Sequence, residues 1–465
     1  MTRNFVLNIN DARLGVAGEG RVLHVEPGFA VVDGSEILTG HAAYGRSRLM
    51  PRHTSHTHWV KLSTEPGSAG IDGVSTAAEL AHAQLDRLWQ PFREAAGAAY
   101  LAVPSDYSNQ DLGVLLGLAQ ECKIPVAGMV NAAVAASVRP FPGCQMLYVD
   151  AGLHGVTVTP IEQGEEATSL PGETIDTGLA ALMDAFARRI AEVFVLETRF
   201  DPLHEATAEQ ALFDGLSTWI PRLMDADSTT VEISFRGEVF SIELSRSVLL
   251  GAGQGFLRAL QQLVAQMRHA DKPLVVQVSD KLAEIPGVVE TLNTLDDSII
   301  VCQPPGHVAV ALLESAHLIG GGGDQVRLYR HLPWRAQADD APVVSKAPRP
   351  QIQSASAPTH IVYKGVAYPV NGEGLVIGRD VADGNRSIVV EGESQGISRS
   401  HCRLVSADGE LRLQDTSRYG TFVNERRIEA ETVLQPADVI RIGSPGAELI
   451  VIRLDAAEEV SGHAP

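Results

Sequence analysis

The sequence predicts an α/β region followed by an all-β domain, the two joined by a stretch that cannot fold on its own. Three observations carry this. Over residues 1–334, apolar runs of strand length alternate with amphipathic runs of helical length, the pattern of mixed sheets covered by helices. Over 360–456, short strand-like runs recur between Gly, Asp and Asn, as in a β-sandwich. Between them, residues 335–359 (RAQADDAPVVSKAPRPQIQSASAPT) are rich in Pro, Ala, Ser and Gln. Such a segment buries too little apolar surface to offset its ordering entropy and reads as a flexible linker. Residues 457–465 read as a disordered tail.

Within the larger region, residues 5–9, 28–33, 99–104, 146–150, 231–235 and 274–278 read as strands. Residues 76–98, 109–122, 177–195 and 249–269 read as helices, with Ser108 placed to cap the second. In the smaller region the strand runs are HIVYKG, VAYPV, GLVIGRD, HCRLV, ELRLQD, GTFVN, RRI, DVIRIG and AELIVIRL.

Composition narrows the function. The 465 residues carry a formal net charge of −20, with acidic residues spread along the chain. That field opposes nucleic-acid phosphates and anionic lipid, so no nucleic-acid partner is expected. No run reaches the roughly 18 apolar residues of a membrane span, and Asn131 interrupts the nearest, 127–138. MTRNFVLNIN lacks the apolar stretch and cleavage site of a secretion signal. A cytoplasmic protein without membrane insertion is the expectation. Cys122, Cys144, Cys302 and Cys402 are far apart with no CxxC pair, so they read as buried reduced thiols. His53, His56 and His58 read as a solvated loop and not a metal site, and the glycine run 320–323 as a turn.

The chemistry concentrates in three short motifs of the smaller region. They are Gly378-Arg379, then Ser398-Arg399-Ser400-His401, then Asp415-Thr416-Ser417-Arg418-Tyr419-Gly420-Thr421 running into Val423-Asn424. A phosphate dianion needs fixed donors and positive charge. Arg379 offers a planar fork that matches two phosphate oxygens, Ser398 a hydroxyl and a loop N–H, and Arg399 a second cation.

In order and spacing, these motifs resemble the forkhead-associated (FHA) family, β-sandwiches that read phosphothreonine peptides. The resemblance implies that Arg379 and Ser398 bind the phosphate, that Arg399 assists, and that His401 and Asn424 hold loops in place. The family has Asn immediately before Gly-Thr, where its amide grips the peptide backbone. Tyr419 stands there in this chain, preceded by Arg418, so those two are the candidates for a different contact with the peptide. The implied partner is a phosphothreonine-containing protein made by a Ser/Thr kinase.

The larger region carries a second resemblance. EGRVLHVEPGFAVVDG (19–34), ILTGHA (37–42) and YLAVPSDYSNQDLGVLLGLAQECKIPVAGMVNAAVAASV (100–138) are similar in order to the actin-like ATPase superfamily of heat-shock protein 70 and bacterial actin. That superfamily implies two lobes, two phosphate loops and an adenosine loop. The first loop, Asp-x-Gly-Thr-Thr, falls here on Asn8, Asn10, Asp11 and Ala12; the second, DxGGGTxD, runs from Asp150 through Gly152, Leu153, His154 and Gly155 to Thr157. The adenosine loop over 278–286 has lost its paired glycines. Asp11, Asp150, Gly152 and Gly155 are therefore expected to be vestigial nucleotide-binding positions, with no catalytic residue and no cofactor. The alternative keeps ATP and Mg as ligands of an actin-like switch or filament protein.

Overall fold

The computed structural model describes residues 3–269, 271–320, 326–335, 359–363, 366–372, 374–380, 386–390, 396–407, 410–424, 426–428, 431–434, 438–443 and 446–452. The chain forms two compact units, Met1–Lys346 and Ala347–Pro465. Apart from Arg335 and Thr359, the stretch expected to be a linker lies outside the described residues, as do Gly321–Gly323 of the glycine run and the expected tail.

The first unit is mixed α/β, built on two large sheets. One runs in the order Leu328–Tyr329, Val126–Asn131, Ala96–Val103, Arg3–Asn8, Leu14–Gly18, Arg21–Glu26. The other runs Ser298–Cys302, Leu274–Val278, Gln145–Ala151, Val156–Gln163, Glu166–Ser169, His331–Pro333, with Glu173–Ile175 also on Val156–Gln163. Both share one plan. Three successive strands form an antiparallel meander, and later strands add in parallel to the meander's first strand. Parallel neighbours need long crossovers, which the helices supply: Ala77–Trp89, Asn109–Glu121, Leu179–Thr198 and Arg246–Gln266. Ser108 caps the second of these in a reciprocal capping box with Asp111.

The hairpin Gln145–Ala151/Val156–Gln163 shows how the strand period builds a site. Leu147, Val149, Ala151, Val156 and Val158 enter an apolar cluster with Phe186, Ile190 and Leu260. The alternate residues Tyr148 and Asp150 stand opposite Thr159 and Thr157 on the other face. That face carries the polar groups described below.

Several sequence readings need correction. The helix expected over 76–98 stops at Trp89. Pro91 sits in the short 3-10 turn Gln90–Phe92, and the alanine-rich segment after it is the strand Ala96–Val103. Alanine favours helices, but pairing with Arg3–Asn8 overrides that preference. Helices Ala206–Asp225 and His307–Ser315 and strands Val126–Asn131 and Ser298–Cys302 were not foreseen. The histidine loop is not solvated: His58 is buried against Gln84, 3.2 Å from its Oε1, and His56 stacks on His154 with ring centroids 5.0 Å apart. Burial lowers both histidines to about 4. Cys122 and Cys402 are buried as expected, but Cys144 is half-buried and Cys302 exposed. Among the described residues, no helix is long and apolar enough to cross a membrane.

The second unit is all-β, with a six-stranded and a five-stranded sheet. The first runs Val366–Pro369, His360–Tyr363, Gly446–Ile452, Val439–Gly443, Thr421–Val423, Arg426–Arg427. The second runs Ser387–Val389, Leu375–Gly378, Cys402–Ala407, Glu410–Asp415, Glu431–Leu434. Alternate residues of both supply a single core: Ile361, Leu375, Ile377, Leu404, Leu413, Ile440, Ile442 and Val451. The strand runs read from the sequence are present. Ser387–Val389 and Glu431–Leu434, only three and four residues long, were not foreseen.

Candidate functional site

The three motifs of the second unit meet through backbone bonds between loops. The strand Leu375–Gly378 ends at a glycine whose added Cβ would overlap the Arg399 carbonyl oxygen. Only glycine admits so close an approach. The Arg379 N–H then donates to the Ser398 carbonyl at 3.1 Å and the Asp380 N–H to the Arg399 carbonyl at 3.3 Å. These two bonds clip the first motif to the second.

His401 holds the second motif from beneath. It is fully buried; its Nδ1 accepts from the Ser398 N–H at 3.1 Å, and its Nε2 lies 3.2 Å from the Gly420 carbonyl. Since the first contact requires a bare Nδ1, the ring is neutral with its proton on Nε2. Burial, partly opposed by the bond to Gly420, pushes its pKa below the ordinary value, in keeping with this tautomer.

The third motif is a closed ring of bonds. Asp415 accepts from the Ser417 N–H at 2.9 Å, the Thr421 N–H at 3.2 Å and the Thr421 hydroxyl at 2.9 Å. Although burial opposes it, these donors hold the carboxyl below its ordinary range. The Ser417 hydroxyl accepts from the Gly420 N–H at 2.7 Å, and Gly420 takes a left-handed φ of 95°. Asn424, also left-handed, bonds Asp438 at 2.7 Å and the Val439 N–H at 3.0 Å. The sequence flagged these residues as a motif without giving Asp415 and Ser417 their roles; the Asp-x-Ser spacing of a side-chain-capped turn was the available signal.

The ring presents Arg418, whose N–H donates to Ser398 Oγ at 3.2 Å. Arg379, Arg399, Arg418 and Tyr419 are all exposed, and Ser398 is half-buried among them. Tyr419 is 67% exposed, so it does not sink into the space between the arginines. Arg399 makes a loose, fully solvated contact with Asp380 at 3.8 Å; among the described residues, Arg379 and Arg418 are in no ion pair. The five candidate residues thus sit on loops tied directly to one another, with Ser398 at the junction.

The first unit brings together the other four candidates. Asp11, Asp150, Gly152 and Gly155 line one cavity of about 420 Å³. Asn10 Nδ2 donates to Asp150 Oδ2 at 3.0 Å and to the Ala151 carbonyl at 3.1 Å. Asp11 Oδ1 accepts from the Leu153 N–H at 2.8 Å, and a side chain at Gly152 would strike that same oxygen. The Leu153 N–H is thus taken by a carboxylate of the protein itself. Burial raises Asp11 to about 6. Lys281, buried behind the cavity, pairs with Asp150 at 2.9 Å. Asp106 and Asp176 are also in the lining, with Lys61 as its lysine.

No curated protein matches the chain. The family model described as the FHA domain matches residues 375–443, from the strand before Arg379 to the end of Val439–Gly443. The interlocked loops described above all fall inside that span, and the C-terminal unit of this chain carries an FHA domain.

Proposed function

We propose that the protein is a phosphothreonine-dependent adaptor whose larger unit is a catalytically inactive, actin-like body. The FHA domain implies phosphothreonine-dependent protein binding. The observation that carries the reading to these residues is the backbone clip from Arg379 to Ser398. It keeps a guanidinium and a hydroxyl on adjacent loops, where both can reach one dianion. Arg399 and Arg418 add charge around it, and Tyr419 offers the flanking peptide an aromatic surface in place of the family's amide. The partner is then the product of a Ser/Thr kinase, and its phosphorylation switches assembly on.

Two features support the actin-like, inactive part. The two large sheets repeat one plan, in keeping with two lobes. The expected phosphate loops meet at one cavity, but Asp11 already occupies the Leu153 N–H, and carboxylates surround the space. A soluble adaptor in the cytoplasm, without cofactor, follows from this reading.

The test is titration of the full chain with a phosphothreonine peptide library and its unphosphorylated counterpart. Preference for the phosphorylated set, abolished by Arg379→Ala, supports the proposal. Equal binding of both sets rejects it. For the larger unit, a thermal melt with and without Mg-ATP is expected to be flat. A ligand at a hundred times its dissociation constant would add about 2.7 kcal/mol.

A further inference from the structure

The cavity in the first unit holds features that phosphopeptide binding does not use. Its lining includes Tyr148 and Thr159, paired across neighbouring strands. Each is 1% exposed, and among the described residues neither hydroxyl has a hydrogen-bond partner. An unpartnered buried hydroxyl costs about 1–3 kcal/mol. Two of them side by side on a cavity wall mark positions that an incoming molecule would satisfy.

The charge around them is one-sided. Asp11, Asp106, Asp150 and Asp176 line the cavity against the single lysine Lys61; Asp106, Asp176 and Lys61 are exposed. Lys281 offsets Asp150, whereas Arg13 is taken up by carboxylates outside the lining. Lys281 pairs with Asp150 and Asp280, and Arg13 with Asp280 and Glu284. Among the described residues, Asp106 and Asp176 are in no ion pair. Trp59 and Tyr107 add aromatic surface; their polar atoms are already bonded to Gln84 and to the Trp59 carbonyl. Aromatic faces beside carboxylates attract cations. Among the described residues, no group of three His, Cys, Asp or Glu is arranged to hold a metal ion.

We propose that this cavity binds a small organic cation, an ammonium-bearing polar metabolite. Its charge lies against Asp106, and its hydroxyl or amine groups bond Tyr148 Oη and Thr159 Oγ1. At about 420 Å³ the space is within the size of small-molecule sites. The inference uses no residue of the FHA domain. A loop pair that resembles a phosphate cradle has thereby exchanged an anionic ligand for a cationic one.

Glucosamine, agmatine and spermidine serve as probes on the full chain, with glucose and Mg-ATP as controls. Glucose differs from glucosamine in lacking the ammonium group. At least one ammonium probe is expected to raise the melting temperature and to bind calorimetrically with a dissociation constant of about 1 mM or tighter. Asp106→Asn is expected to weaken it about tenfold or more. Tyr148→Phe separates a binding role from a packing role: it is expected to leave the unliganded chain at least as stable while weakening the probe. Thr159→Val gives the same reading should Asp106→Asn fail to fold. No binding by any ammonium probe, equal binding by glucose, or unchanged affinity in folded variants overturns the proposal. A response to Mg-ATP overturns it together with the expectation of a flat melt, and leaves phosphopeptide binding untouched.

Discussion

The Arg418 N–H donates to Ser398 Oγ at 3.2 Å, joining the turn before Gly420 to the loop after Ile397. The bond uses a lone pair of the Ser398 hydroxyl and leaves its hydrogen to donate elsewhere. One serine therefore fixes the Arg418 turn, is clipped by its carbonyl to Arg379, and retains a donor for a ligand.

Arg379→Ala is expected to lower phosphothreonine-peptide affinity about tenfold to a hundredfold, since each bond to a charged group is worth about 1.5–3 kcal/mol. Arg379 is exposed and its side chain is in no ion pair among the described residues, so the melting temperature should barely move. Calorimetry and a thermal melt on the same variant check both halves.

Ser398→Ala removes the donor and also the acceptor of the Arg418 N–H. It should cost about tenfold in affinity and, unlike Arg379→Ala, about 1 kcal/mol of domain stability. Denaturant unfolding of the two variants side by side distinguishes them.

Gly378→Ala places a methyl group on the Arg399 carbonyl oxygen, a backbone atom that cannot move without breaking the clip. Forced overpacking of this kind costs about 1–3 kcal/mol. Binding should fall with it, because Arg379 and Ser398 lose their register. Preserved affinity and stability would show that the loops are not held this way.

His401 and Asp11 titrate with opposite signs. His401 lies below its ordinary 6.5 in the folded chain, so the unfolded chain takes up the proton first as pH falls. Its contribution is complete above about 6.5 and declines below that value, as protonation of Nδ1 expels the Ser398 N–H. The peptide's phosphate also protonates near pH 6, so unfolding, and not affinity, is the measurement to follow.

Asp11 is raised from 3.8 to about 6, so its contribution is complete below 3.8 and is lost as pH rises through 6. Asp11→Asn keeps an oxygen for the Leu153 N–H. It should stabilise the larger unit by about 3 kcal/mol at pH 7.5 and by almost nothing near pH 4. Urea unfolding of the variant and its parent at the two pH values reads the difference.

The interlocked loops of the FHA domain were legible in the sequence because their residues act within three short motifs, and glycine, serine and histidine there have few alternatives. What stayed hidden depended on distant partners. His58 reads as solvated among its polar neighbours, and only Gln84, on a helix, reveals it as buried. Ala96 and Ala98 read as helix until Arg3–Asn8 offers them a strand partner. Tyr148, Asp150, Thr157 and Thr159 alternate as a strand should, but the cavity they border is enclosed by loops near residues 10, 60 and 106. Two β-strands of the FHA unit, Ser387–Val389 and Glu431–Leu434, were too short to stand out.

The most direct measurement is calorimetric titration of the full chain with its best-binding phosphothreonine peptide, before and after phosphatase treatment of that peptide, and again with Arg379→Ala. Binding that disappears on dephosphorylation and falls at least about tenfold in the variant is the expected result. Binding that survives dephosphorylation, or is indifferent to Arg379, contradicts it.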